Sequence, residues 1–175
     1  MKINELELKG AYLIELEPFE DERGTFTRQF CKKELAKVGI DFEICQCNIS
    51  RNYKSGTLRG MHFQNKPYRE AKMVSCLKGA FVDIIVDIRE NSETYLQWES
   101  IQMEEGNNKV LYIPPDFAQG FQTLVDETII YYQMGNYYAP GQANGLRWDD
   151  PTLGIIWPKC DNRIINERDK TYELI

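Results

Sequence analysis

Polar and apolar positions alternate along this chain in short bursts separated by turn-forming residues. Residues 11–17 (Ala-Tyr-Leu-Ile-Glu-Leu-Glu) read as a strand that Pro18 ends. A charged turn, Glu20-Asp21-Glu22-Arg23-Gly24, leads into a second extended stretch over residues 25–30. Residues 32–38 are a short helix candidate stopped by Gly39. Residues 42–50 alternate like a strand, and residues 52–56 are polar and turn-like. Further strands are expected at 71–77, 80–87, 98–103, 110–113, 121–125 and 128–134. Lys78-Gly79, residues 89–92, Glu105-Gly106-Asn107-Asn108 and Pro114-Pro115 interrupt them. Many short strands with few helices predict an all-β chain, an antiparallel sandwich or barrel with short peripheral helices. The tail from Trp148 is irregular and rich in Asp, Pro and Trp. It is expected to pack over the barrel, because Trp148 and Trp157 need burial.

Composition narrows the class. A length of 175 residues suits one domain over 1–175 with a sizeable core, and no repeat or linker divides it. Net charge of -6 and a pI near 5.0 argue against a nucleic-acid partner. No apolar run is long enough to span a membrane, and the first residues lack the apolar core of a signal peptide. The five cysteines are odd in number and include no Cys-x-x-Cys, which suits reduced thiols in a cytoplasmic protein.

The chemistry concentrates in Thr57-Leu58-Arg59-Gly60-Met61-His62-Phe63-Gln64. His62 is the only histidine in the chain. Histidine is the side chain whose ordinary pKa lies near neutrality, so proton transfer is expected there. Arg59 is suited to phosphate or carboxylate, and Arg23 and Arg59 each precede a glycine that lets a ligand approach the backbone. A histidine base needs an orienting carboxylate, which spacing alone does not select among 27 acids. Of Tyr131 and Tyr132, alternation turns only one inward, where its hydroxyl can act as an acid. Metal-dependent barrels of this type use several histidines, so one histidine predicts a barrel that works without metal.

Five motifs in order resemble the dTDP-4-dehydrorhamnose 3,5-epimerase family of nucleotide-sugar epimerases. They are Asp21-Glu22-Arg23-Gly24; Gln46-Cys47-Asn48-Ile49-Ser50; residues 58–64; residues 113–121; and Tyr137-Tyr138-Ala139-Pro140 leading to Arg147-Trp148-Asp149-Asp150-Pro151. The resemblance runs from about residue 13 to 169. It implies a cupin-type jelly roll, a homodimer, and no metal or cofactor. It also implies proton removal alpha to the C4 ketone of a nucleotide-diphosphate sugar, with return on the opposite face. By the same resemblance His62 is the base, Asp169 its carboxylate, Tyr132 the acid, and Lys72 the cation at the ketone oxygen. Arg59 and Arg23 would hold the diphosphate, Arg23 across the dimer. Gln46 and Asn48 would line the sugar site, with Phe19 and Tyr138 near the nucleotide.

Two positions depart from the family pattern. Gln119 stands where the family usually has histidine, and glutamine hydrogen-bonds a sugar without carrying a proton. Epimerisation at C3, at C5 or at both therefore stays open. Arg28 stands where the family usually has glutamate. Arginine only donates, which suits an acceptor such as guanine O6, so GDP-linked hexoses or heptoses stand beside dTDP sugars as substrates. A 3,4-ketoisomerase and a non-catalytic sugar-nucleotide-binding barrel are the alternatives. The combination of His62, Tyr132 and Asp169 argues against the second.

Overall fold

A computed structural model of the chain describes all 175 residues, and short strands dominate it. In chain order they are β1 (Lys2–Glu5), β2 (Tyr12–Glu15), β3 (Phe19–Asp21), β4 (Gly24–Phe26), β5 (Gln46–Asn52), β6 (Leu58–Gln64) and β7 (Lys72–Lys78). Then follow β8 (Ala80–Asp87), β9 (Trp98–Glu104), β10 (Lys109–Ile113), β11 (Phe117–Thr123), β12 (Thr128–Met134) and β13 (Ala143–Gly145). The α-helices are short, α1 (Lys32–Ala36) and α2 (Glu167–Lys170). No helix is long and apolar enough to cross a membrane.

Two antiparallel sheets face each other. One runs β1-β2-β10-β7-β12-β5 and the other β13-β6-β11-β8-β9; β3 and β4 form a separate hairpin. Strands distant in sequence become neighbours in each sheet, the arrangement of a cupin-type jelly roll. β8 shows why the chain folds this way. Phe81 and Ile85 point between the sheets into a core with Val74, Leu111, Phe121 and Ile130. Ile84 and Val86 point outward, where the C-terminal tail covers them with Leu153 and Trp157. Trp157 also donates its indole N–H to the carbonyl of Trp148 at 2.7 Å, so the tail packs where its tryptophans required.

Several elements depart from the alternation pattern. β11 starts at Phe117 rather than 121, because all seven of its residues are buried and no polar face marks it. β1 is a mostly exposed edge strand held by backbone pairing to β2, which leaves little hydrophobic signal. The helix predicted over 32–38 ends at Ala36, and the strand predicted from 42 starts at Gln46. Phe42 instead packs with Leu35, Ile40 and Tyr112 in a second core under α1. All five cysteines are free.

Candidate active site

The central stretch, 57–64, is largely β6, and its geometry depends on one extra residue. In a regular strand Arg59 and His62, three apart, would face opposite sides. Here Gln119 pairs with His62 and Phe121 with Arg59, so three steps on β6 oppose two on β11. This is a β-bulge. It turns both Arg59 and His62 into one cavity between the sheets. Gly60 sits in the bulge at φ 139°, and a side chain there would run into the Gly120 backbone. The two glycines are therefore required by the close approach of β6 and β11.

The bulge also frees the Gly60 N–H, which donates to Asp169 Oδ2 at 3.0 Å. Asp169 Oδ1 bonds His62 Nε2 at 2.7 Å. Asp169 is fully buried on α2, whose N-cap Asn166 accepts from the Asp169 backbone N–H at 2.7 Å. Facing a carboxylate, Nε2 carries the hydrogen, and Nδ1 is left as the basic nitrogen. Tyr172 packs edge-on against the imidazole at 6.3 Å between centroids. The ring is thus held from two directions by the tail.

The opposite sheet supplies the other groups. Lys72 on β7 and Tyr132 on β12 line the same cavity. Lys72 is buried; its Nζ donates to the His62 carbonyl at 3.1 Å and lies 3.4 Å from Glu70. Glu70 in turn accepts from Gln64 Nε2 at 3.0 Å. Burial, and then the nearby Asp83 carboxyl, push the Tyr132 hydroxyl up, while Gln119 and Arg59 act to lower it. Tyr132 therefore keeps its proton at neutral pH.

Eight of the expected residues line this cavity of about 460 Å³, large enough for a sugar and part of its carrier. They are His62, Lys72, Tyr132, Arg59, Gln46, Asn48, Gln119 and Tyr138; Asp169 stands directly behind His62. Arg59 donates from Nε to Asn52 at 3.1 Å and makes no ion pair, so its remaining N–H groups are free for an anion. Phe19, Arg23 and Arg28 are not brought to the cavity. Phe19 and Arg23 lie on the exposed β3–β4 hairpin beside Phe26, and Arg28 pairs with Glu34 at 2.9 Å.

The sequence reading missed Arg168, Glu70 and Asp83. Arg168 lines the cavity, stacks 5.7 Å from the Tyr172 ring and makes no ion pair. Its only signal was adjacency to Asp169. Glu70 and Asp83 carried none, since each depends on what β7 or β11 places beside it. No group of three or more His, Cys, Asp and Glu side chains is placed to hold a metal ion.

The family model for dTDP-4-dehydrorhamnose 3,5-epimerase matches residues 5–175. The chain belongs to this family. It is 37% identical to dTDP-4-dehydrorhamnose 3,5-epimerase of Sinorhizobium fredii over 171 residues, covering 98% of this chain and 88% of the relative. The Bacillus anthracis dTDP-4-dehydrorhamnose 3,5-epimerase, solved with TDP and pyrophosphate bound, superposes with a TM-score of 0.95 at 36% identity, covering 99% of each chain. A 3'-monoepimerase from Streptomyces bikiniensis, solved with dTDP-quinovose, superposes with a TM-score of 0.91 at 30% identity, covering 98% of this chain and 86% of that one. Membership places the chain among isomerases acting on carbohydrates.

Proposed function

We propose that the chain epimerises a dTDP-linked 4-keto-6-deoxy sugar by proton transfer across the cavity. The observation that carries this reading is the division of labour between the sheets. The His62–Asp169 pair belongs to one wall, and Tyr132 with Lys72 belongs to the other. A base and an acid on opposite walls suit removal of a proton from one face of a carbon and return to the other. His62 Nδ1 takes the proton alpha to the C4 ketone. The electron pair moves onto the ketone oxygen, where Lys72 stabilises the enolate. Tyr132 then protonates the carbon from the opposite face, and solvent restores both residues. Binding alone would need no such opposed pair, which favours this reading over a non-catalytic barrel.

Arg59 and Arg168, both without carboxylate partners, suit the diphosphate. The nucleotide reading rests on the relatives solved with TDP and dTDP-quinovose. Arg28 is held by Glu34 away from the cavity, so it gives no ground within one chain for guanine. The exposed hairpin with Phe19 and Arg23 is assigned to the site of a second copy in a homodimer. Gln119 beside His62 leaves a second reading, inversion at C3 alone, in line with the monoepimerase relative.

The test is incubation with dTDP-4-keto-6-deoxyglucose in deuterated water, following H3 and H5 by NMR. Exchange with inversion at both carbons means a 3,5-epimerase, and at C3 alone a 3-epimerase. Exchange at neither rejects the proposal. A binding panel of dTDP, GDP and CDP tests the carrier, and tight GDP binding without dTDP binding overturns that part.

A further inference from the structure

The imidazole of His62 is held by one hydrogen bond, from Nε2 to Asp169 Oδ1. A histidine ring has no sharp rotamer about its last torsion. Held at one nitrogen, it can still rock, and Nδ1 then swings through an arc. The cavity does not confine it, since 39% of the His62 side chain is exposed. On the neighbouring strand β13, the residue paired with His62 is Gly145, which has no side chain to pack on the ring. The space that a Gly145 side chain would take is filled by the Tyr172 ring, beside the Met61 carbonyl. Tyr172 meets the imidazole at 6.3 Å between centroids with the planes 71° apart, the edge-on geometry that aromatic rings favour. The Arg168 guanidinium lies over the same ring, its carbon 5.7 Å from the centroid. His62 and Arg168 line the cavity, and Tyr172 stands behind both without lining it. The Tyr172 hydroxyl is buried and has no hydrogen-bond partner within the protein, so the contacts of this residue are those of its ring.

We infer that Tyr172 is a positioning residue for His62: its ring fills the space left open by Gly145 and stops the imidazole from rocking on Asp169. The inference rests on the reading of His62 as the base and extends it. Asp169 decides which ring nitrogen carries the hydrogen, and Tyr172 decides where the other nitrogen points. A base must lie within hydrogen-bond reach of the proton it takes, and a misplacement of about 1 Å can cost on the order of 10²-fold in rate. Asp169 lies on α2 and Tyr172 follows just past its end, so one docked turn of the tail delivers both restraints. Arg168 leans on the same ring from the same turn, which ties the proposed diphosphate contact to the restraint on the base.

The test sets Tyr172→Ala beside Tyr172→Phe on dTDP-4-keto-6-deoxyglucose in deuterated water. In Tyr172→Ala, wash-in and inversion at saturating substrate should fall together by about tenfold, since both begin at His62. Affinity for dTDP by calorimetry should fall by no more than about threefold, the part owed to Arg168. Tyr172→Phe keeps the ring and loses only an unpartnered hydroxyl. Its turnover should stay within about twofold of wild type, and its melting temperature should not fall. A second reading needs no activity. His62 is the only histidine, so nitrogen NMR of the imidazole reports on this ring alone. The Nε2–H tautomer should persist in Tyr172→Ala, which shows Asp169 still seated. Tyr172→Leu, which keeps apolar bulk without a ring edge, should lose turnover in the same direction, and it reads the outcome if the alanine variant does not fold. Wild-type turnover in Tyr172→Ala, loss of affinity alone, or Tyr172→Phe as impaired as Tyr172→Ala overturns the inference. So does a mixture of tautomers in Tyr172→Ala, because Tyr172 would then only anchor the tail. Wild-type enzyme showing neither wash-in nor inversion rejects the epimerase reading itself, and with it the base that Tyr172 would position.

Discussion

Asp169 and Asp83 are both sealed from solvent beside the cavity, and their surroundings differ. Asp169 has both oxygens occupied, by His62 and by the Gly60 N–H. Asp83 has one oxygen occupied by Gln119 and the other empty. Asp169 arrives on the tail, far from β6 in sequence, and touches His62 directly. Asp83 is built into the sheet and accepts from an amide. A saturated carboxylate fixes a ring and its tautomer. A half-satisfied one sits in an environment that disfavours its charge.

The largest effects are expected on the Asp169 side. His62→Asn should lower both wash-in and inversion by about 10³-fold or more while nucleotide affinity stays within about threefold of wild type by calorimetry. Lost nucleotide binding would instead mark His62 as structural. Asp169→Asn should follow closely, with kcat down on the order of 10³-fold. Its amide can donate to Nε2 and move the ring hydrogen to Nδ1, which removes the base. Asp169→Ala should in addition lower stability by about 1–3 kcal/mol in urea unfolding, because the Gly60 N–H loses its acceptor.

Lys72→Met comes next, with kcat down about 10²-fold and nucleotide binding little changed, since the lost interaction belongs to the enolate. Arg59→Ala and Arg168→Ala should reverse that pattern. Nucleotide affinity should fall about tenfold in each, with a weaker dependence on salt, while turnover at saturation changes little.

The smallest effect sharpens the contrast from the Asp83 side. The folded-state pKa of Asp83, about 7, lies above the ordinary carboxylate value. The native protein therefore binds this proton more tightly than the unfolded chain does. The stabilisation is complete below about pH 4 and is lost as pH rises toward 7. Asp83→Asn has nothing to ionise. Its stability relative to wild type should rise between pH 5 and pH 8, by on the order of 1–3 kcal/mol in urea unfolding. A constant difference across that range would show that Asp83 does not titrate there.

Much of the fold was legible because the strands of the central barrel carry alternation. β8 reads as a strand from either face, since its two sets of apolar residues serve two different cores. β11 is legible only in part, because a strand buried on both faces has no alternation to show. The site was legible where a residue type is rare, as with His62. Its partner Asp169 was found by family motif alone, because nothing in the spacing of residues 62 and 169 announces a contact. The bulge at Gly60 is visible in sequence only as a glycine; its pairing against Gly120 needs the register of β6 and β11. Arg168 and Asp83 stayed hidden for a related reason. An arginine without an ion pair and an aspartate with one unpartnered oxygen are defined by what the fold does not place beside them, and a sequence does not record that.

The most direct measurement compares wild type, His62→Asn and Tyr132→Phe on dTDP-4-keto-6-deoxyglucose in deuterated water, with H3 and H5 followed by NMR. Wild type should incorporate deuterium with inversion, Tyr132→Phe should incorporate it with little inversion, and His62→Asn should do neither. Exchange that persists in His62→Asn, or inversion that survives in Tyr132→Phe, would contradict a base on one sheet working against an acid on the other.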